Sequence, residues 1–540
     1  MSITRRDFNQ VIALSAVASC LRVGKAFGQA TPIPRMKLED FVTSPQRVDA
    51  LKLGVRTMKS RKPSDPTSWF YQAAVHAVSP EAVTQATAED PAVAQVDQAK
   101  FWNRCPHFGQ SSADFLLWHR GYVYYFERIL RAASGDPTFS LPYWNYTDQA
   151  QRGFPRIFAE RESDPPDPPA NPLYDERREL AFMFGLYQLS AGAVSTARAF
   201  QENRFFGPDE ITGFAGGVAD SDGDTKGFIE LSPHDLMHVS VGGLIVDAQG
   251  NQIGGLMSSP PTAAFDPVFW VHHANIDRLW ALWECDSQRQ WGTVPSQAWL
   301  DEAPWFFNDH DGSILNTARR FFLDRRNFTI AFDSDTAGCM PLPVRVPLDA
   351  RMTLVADQPA SPPEIRSFVE RDAAPAAPVN VAVGPDRQVD VPVPQSGLPA
   401  TADRSLKSLV EGADRAKPAR IVLELGDIKM EGVPSVGYDV HVNLRQGETA
   451  SRESPSYVGT ISLFRANHAH GGAATGFRQK FDITEAVRQD HAPSEPLIVS
   501  LVPFDLFAPV GAQPRLRRSD QVTIGSMRVI LQEGQTTVTP

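Results

Sequence analysis

Cysteine is scarce: the 540-residue chain has four, and only Cys105, Cys285 and Cys339 lie beyond the N-terminal stretch. Three thiols cannot staple a fold of this length. A disulfide framework is therefore excluded, and at most one bridge, Cys285 with Cys339, is expected. Positive charge is also in deficit, with 52 Lys+Arg against 63 Asp+Glu and a net charge of −11. That balance removes the electrostatic basis for binding nucleic acid or an anionic membrane. The apolar run VIALSAVAS (11–19) is far shorter than the roughly 20 residues a spanning helix needs. What is present suits a large folded protein: hydrophobic residues make up 42% and charged ones 21%, and 32 Phe, 10 Trp and 10 Tyr can fill a core. The length is comfortable for two domains, and no internal repeat is visible.

Residues 1–30 have the layout of an export signal. Paired arginines in TRRDFNQ (4–10) precede the apolar run, and GQA (28–30) supplies a small-residue cleavage site. The paired arginines resemble the bacterial twin-arginine signal, which implies a folded passenger delivered to the periplasm or secreted. VASC (17–20) offers lipoprotein processing at Cys20 as the second reading.

Residues 31–66 form an irregular lead-in. From 67 to about 290 helical periodicity dominates. FLLWHRGYVYYFERILRAA (115–133) and DPVFWVHHANIDRLWALWE (266–284) place apolar residues every three to four positions, and Asp266-Pro267 is a helix start signal. A Pro/Ala-rich stretch, 351–405, is expected as a linker and natural cleavage zone. Beyond it, over 406–535, short alternating β-branched runs such as ARIVLELGDIKM, YDVHVNL and PLIVSLVPF predict an antiparallel β-sandwich or barrel.

Seven of the 12 histidines fall in the helical part: His76, His107, His119, His234, His238, His272 and His273. His234 and His238 are four apart and share one helix face. Taken alone, the pair is as ordinary as any two core or surface histidines. Three histidines come early and three or four late. Two triads of neutral imidazoles suit copper, zinc, iron or nickel. A catalytic zinc usually takes only three ligands, with a carboxylate or thiolate among them, so six imidazoles point to a pair of copper ions. His310, His441, His468, His470 and His491 sit in no comparable pattern.

DPTSWFYQAAVH (65–76), CPHFGQSSADFLLWHRGYVYYFERIL (105–130), PHDLMHVSVGG (233–243) and DPVFWVHHANIDRLW (266–280) occur in the order seen in type-3 copper proteins. Together the chain resembles the tyrosinases, catechol oxidases and haemocyanins. The resemblance implies a mainly α copper domain over 31–350, a helical bundle holding a dicopper centre, followed by an all-β, sandwich-like C-terminal domain. It implies copper A on His76, His107 and His119, and copper B on His234, His238 and His273, with His272 a packed neighbour. The His107–His119 spacing is longer than the family's usual one, and GQSSAD (109–114) absorbs the excess as loop. Asp277 shares a helix face with His273. It either orients an imidazole through the second ring nitrogen or pairs with an arginine.

Cys105-Pro106-His107 resembles the Cys-x-His of fungal members, where the sulfur is joined to the histidine ring; the alternative is a buried thiol. Glu230 and Asp235 are the candidate proton acceptors beside copper B. Asp235 is equally placed to be a helix N-terminal carboxylate favoured by the dipole. Val239, Met257 and Pro260 are the expected pocket walls, with Pro260 standing where plant relatives carry a bulky Phe. The implied partners are O2 and a small phenol or catechol. The implied reaction is oxidation of o-diphenols to o-quinones, with hydroxylation of monophenols, o-aminophenol oxidation or plain oxygen carriage as alternatives. AWLDEAPWFFND (298–309) and GFRQKFDITEAVRQ (476–489) resemble plant polyphenol oxidases, in which the C-terminal domain shields the active-site entrance.

Overall fold

Ser44 accepts a hydrogen bond from the Arg47 amide and Pro45 occupies the first turn, so a 16-residue helix begins there, Pro45–Ser60. It belongs to a computed structural model that describes residues 33–106, 113–161, 171–207, 212–217, 226–247, 249–292, 296–328, 330–333, 367–395, 406–411, 419–445, 447–466, 476–489 and 496–535. The lead-in expected to be irregular therefore contains a full helix. Its cap signal, Ser-Pro, outweighs a weakly amphipathic sequence. Leu51, Gly54, Val55 and Met58 form the buried face. A Cβ on Gly54 would lie 2.7 Å from Leu130 Cδ1 and 3.0 Å from the Leu130 carbonyl oxygen. The glycine lets this helix lie directly on the longest helix of the bundle, Asp114–Ser134.

Two further helices are capped by side chains, the second at the start signal expected from Asp266-Pro267. Ser68 caps Trp69–His76 through the Tyr71 amide, and Asp266 caps Pro267–Trp283 through the Val268 amide, with Pro267 in the first turn. Asp266 also receives Arg178 Nη2 at 2.7 Å, the two side chains being 0% and 1% exposed. Large aromatics fill the space between the helices: Phe126 stacks on Trp270 at 3.3 Å between centroids, and Trp118 on Tyr122 at 4.5 Å. Arg120 lies over Trp280 at 3.2 Å.

The C-terminal part is two antiparallel sheets. In one, Gln521–Gln535 is central: it pairs with Ala419–Glu431 on one side and with Ala377–Val383 and Ser367–Ala373 on the other, while Phe477–Asp482 pairs with the outer edge of Ala419–Glu431. The other runs in the order Val389–Val393, Leu497–Asp505, Val436–Val442, Tyr457–Thr460. Three of these strands, at 367–373, 377–383 and 389–393, lie inside the stretch expected to be linker. Composition misleads there because the prolines sit where a sheet tolerates them. Pro392 is on an edge strand. Pro378 is at a register irregularity of another edge strand. The rest of 351–405 is mostly outside the described residues.

The two parts are joined closely. Tyr187–Leu189 of the helical part pairs with Phe507–Pro509 of the C-terminal part, Arg518 is ion-paired to Glu179, and Arg452 Nη1 donates to the Gly192 carbonyl at 2.7 Å. No described helix is long and apolar enough to cross a membrane. The export signal with Cys20 lies outside the described residues, as do His107 and Cys339. Cys285 is disulfide-bonded.

Candidate metal centre

His76 is the last residue of its short helix and His119 lies in the second turn of Asp114–Ser134. His76 Nδ1 donates to the Pro260 carbonyl at 3.1 Å and His119 Nδ1 to the Phe115 carbonyl at 2.8 Å. Each bond fixes the tautomer and leaves Nε2 as the ligating nitrogen. Cys105 Sγ is 3.6 Å from His119 Nε2, and the Cys105 amide donates to the His76 carbonyl at 3.1 Å. His76, Cys105 and His119 each offer a ligand atom within 4.8 Å of the others. The third imidazole expected here, His107, is not among the described residues, and neither is any bond from Cys105 to it.

His234, His238, His272 and His273 form a second cluster within the same 4.8 Å limit, all buried. His238 Nδ1 donates to the Met257 carbonyl at 2.9 Å, and His234 Nδ1 faces Asp235 Oδ1 at 3.0 Å. His272 Nδ1 meets the Tyr146 hydroxyl at 3.1 Å. The two clusters abut, with the His119 and His273 rings stacked at 4.3 Å. Phe269 lies between them, 4.2 Å from His273 and 5.0 Å from His76. Phe115 packs on His119 and His234 at 4.6 and 4.7 Å.

Burial holds five of these imidazoles neutral. It pushes His76 and His272 down to about 3, and drives His119, His238 and His273 well below the ordinary histidine value. Neutral imidazole is the form that ligates a metal. Nε2 of His238 and His272, and both nitrogens of His273, have no hydrogen-bond partner among the described residues. Buried nitrogens left this way cost about 1–3 kcal/mol each, which a metal offsets. The donors that converge are imidazoles, with one thiol at the first cluster. This set fits copper better than a hard cation that prefers oxygen.

The other expected site residues fall differently. Asp277 does not reach a ring nitrogen: its oxygens take Arg35 Nη1 at 3.1 Å and Arg120 Nε at 2.8 Å. Glu230 and Asp235 are both buried and both paired with Lys226 Nζ, at 3.1 and 2.8 Å. Pro260 and Met257 act through their carbonyls on His76 and His238, and Val239 is 1% exposed beside His238. His272, expected as a packed neighbour, stands within ligand distance of the second cluster.

Two residues of the C-terminal part were not anticipated. Phe464 stacks on His238, with centroids 4.2 Å apart and planes at 26°. Ser462 donates its hydroxyl to Asp235 Oδ2. Nothing in the local sequence SLF marks either, because both contacts span more than 220 residues of chain.

Comparison with known proteins agrees with this geometry. Residues 66–286 match the family model described as the common central domain of tyrosinase, and residues 370–526 match a domain of unknown function. The chain is 30% identical to tyrosinase HcTyr1 of Hahella sp. (strain CCB-MM4) over 480 residues, covering 83% of this chain and 91% of that one. It is 25% identical to aureusidin synthase of Antirrhinum majus over 449 residues, covering 76% and 68%. Among solved structures, latent apple tyrosinase superposes with a TM-score of 0.56 at 20% identity, over 94% of this chain and 98% of that one. Latent aurone synthase gives 0.54 at 20% identity, over 94% and 91%. Both share the fold, including the strand-rich C-terminal part. With its paired clusters of buried imidazoles, the chain belongs to the tyrosinase and polyphenol oxidase family of dicopper oxidoreductases.

Proposed function

We propose that this chain is an exported o-diphenol oxidase kept latent by its own C-terminal domain. The observation that carries the reading is the meeting of two buried imidazole clusters whose Nδ1 atoms are mostly turned to carbonyls or a carboxylate. His76, His107 and His119 would hold one copper and His234, His238 and His273 the other. Bound copper supplies the O2-binding and one-electron redox chemistry. Each catechol gives up two electrons and two protons to become an o-quinone, and two catechols reduce one O2 to two waters.

The carboxylates support diphenol over monophenol as substrate. A monophenol must first lose its proton to a base. Both oxygens of Asp235 are engaged, one by His234 and the other by Lys226 and Ser462, and Glu230 is ion-paired to Lys226. A catechol delivers its protons without a dedicated base.

Latency rests on Phe464. An aromatic substrate approaching His238 would have to take the place this ring occupies. The paired arginines at 5–6 and the GQA site support export by the twin-arginine route, with cleavage before Thr31.

The test uses copper-loaded full-length chain and chain cleaved between the helical and strand-rich parts, each given catechol and tyrosine. Quinone from catechol, faster after cleavage and with little or none from tyrosine, is expected. Comparable turnover of tyrosine would make the chain a monophenol-hydroxylating tyrosinase. Reversible O2 binding without turnover in the cleaved form would overturn the oxidase reading in favour of an oxygen carrier.

A further inference from the structure

His234 is supported differently from the imidazoles around it. Nδ1 of His76, His119 and His238 faces a main-chain carbonyl, whereas His234 Nδ1 lies 3.0 Å from a carboxylate oxygen, Asp235 Oδ1. A charged acceptor makes the stronger bond and raises the basicity of the ring nitrogen turned to a metal. The other oxygen of the same carboxylate takes Lys226 Nζ at 2.8 Å and the Ser462 hydroxyl. Lys226 belongs to the helical part, nine residues before Asp235. Ser462 belongs to the strand-rich part, 227 residues after it.

The serine is built into its place. It is 2% exposed and Asp235 is 0% exposed, so the contact between them is closed to solvent. The Ser462 amide donates to Gln479 Oε1 at 3.0 Å, and Gln479 Nε2 donates to the Thr460 carbonyl at 2.9 Å. These bonds tie residue 462 to the strands Tyr457–Thr460 and Phe477–Asp482, with its hydroxyl reaching into the helical part.

We propose that Ser462 is a positioning residue of the metal centre, acting through Asp235 on the copper ligand His234. This rests on the reading that His234 holds copper. Each hydrogen bond donated to a carboxylate stabilises its charge and lowers its basicity. What Ser462 draws to Oδ2 is therefore withheld from the His234 bond at Oδ1. Lys226 keeps the carboxylate oriented, so the serine alters its strength as an acceptor and leaves its place unchanged. The docked C-terminal part thereby makes His234 a weaker donor to a cupric ion, a role separate from the cover that Phe464 gives His238.

Chelator competition on the copper-loaded full-length chain, with no phenol present, measures the affinity for each cupric ion. Ser462→Ala keeps Phe464 in place and is expected to tighten one ion about threefold or more, leaving the other unchanged. Asp235→Asn is expected to loosen the same ion by about 10- to 100-fold. Ser462→Thr, which keeps the hydroxyl, should restore the parental affinity. Opposite signs from the two partners of one hydrogen bond are the signature, since a packing role for Ser462 would loosen copper or move both ions together. An affinity unchanged in Ser462→Ala overturns the proposal. So does a loosening in Ser462→Ala, or a threonine variant that behaves as the alanine one does. A parent chain that fails to take up two copper ions would bring down the reading beneath the proposal as well, and it is told apart before any variant is made.

Discussion

Phe464 and His238 lie nearly parallel, their ring centroids 4.2 Å apart, although they come from different parts of the chain. Stacked aromatic pairs contribute roughly 0.5–1.5 kcal/mol beyond area burial. Replacing the ring should therefore raise the open fraction by a modest factor as well as clearing space. For Phe464→Ala in the full-length chain the expected result is catechol oxidation about 3- to 10-fold faster, with copper content unchanged. Steady-state kinetics beside copper stoichiometry measure both. A copper-replete Phe464→Ala chain no faster than the parent would leave the shielding idea without support.

The second cluster offers four imidazoles where three are needed. His272 Nδ1 is held by Tyr146, whereas neither nitrogen of His273 has a partner among the described residues. A ring with nothing else to satisfy it gains most from a metal. His273→Gln is expected to lose one copper per chain, and His272→Gln to keep both. Copper content per folded chain decides it, and the opposite pattern would make His272 the ligand.

Asp277 accepts from two arginines at once, and Arg35 donates also to Glu127 at 2.7 Å. All four side chains are at most 7% exposed. Removing one charge from such a network leaves buried guanidinium under-compensated, at a cost of about 3–5 kcal/mol. Asp277→Asn should lower the melting temperature sharply while the folded fraction keeps its copper. Normal melting with lost copper would instead show that Asp277 acts through an imidazole.

Gly54 sets two known effects against each other. Alanine gains about 1 kcal/mol of helix propensity over glycine, but the new Cβ would meet Leu130 Cδ1 at 2.7 Å and the Leu130 carbonyl at 3.0 Å. The side chain can shift; the backbone oxygen cannot without moving its helix. Overpacking costs about 1–3 kcal/mol, so Gly54→Ala is expected to destabilise in chemical denaturation, by less than Gly54→Val does.

What could be seen in the sequence follows from what is local. Asp266-Pro267 marks a helix start within a few residues, and it sets His273 on its helix; the Ser68 cap that does the same for His76 is equally local. The i, i+4 spacing of His234 and His238 likewise survives folding as two neighbouring rings, 4.5 Å apart. Long-range partners were hidden. The carbonyls of Pro260 and Met257 orient imidazoles through backbone atoms that every residue possesses, so no residue type announces them. Phe464 arrives from another domain. Lys226, by contrast, claims Glu230 and Asp235 from only four and nine residues away. The strands at 367–393 were obscured because edge positions accept proline.

Copper removal tests the centre as a whole. The second cluster's Nε2 atoms on His238 and His273 lack protein partners among the described residues, so the metal-free chain keeps them buried at about 1–3 kcal/mol each. Metal that binds only the folded chain adds stability by mass action. At roughly 2–4 °C per kcal/mol for a domain of this size, chelation should lower the melting temperature by several degrees. Zinc, which accepts imidazole ligands but has no redox chemistry, should restore the melting temperature and leave catechol untouched. Copper should restore both. A chain whose melting temperature ignores chelation, although its copper is gone, would mean that these imidazoles are satisfied without metal, and the dicopper assignment of the two clusters would fall.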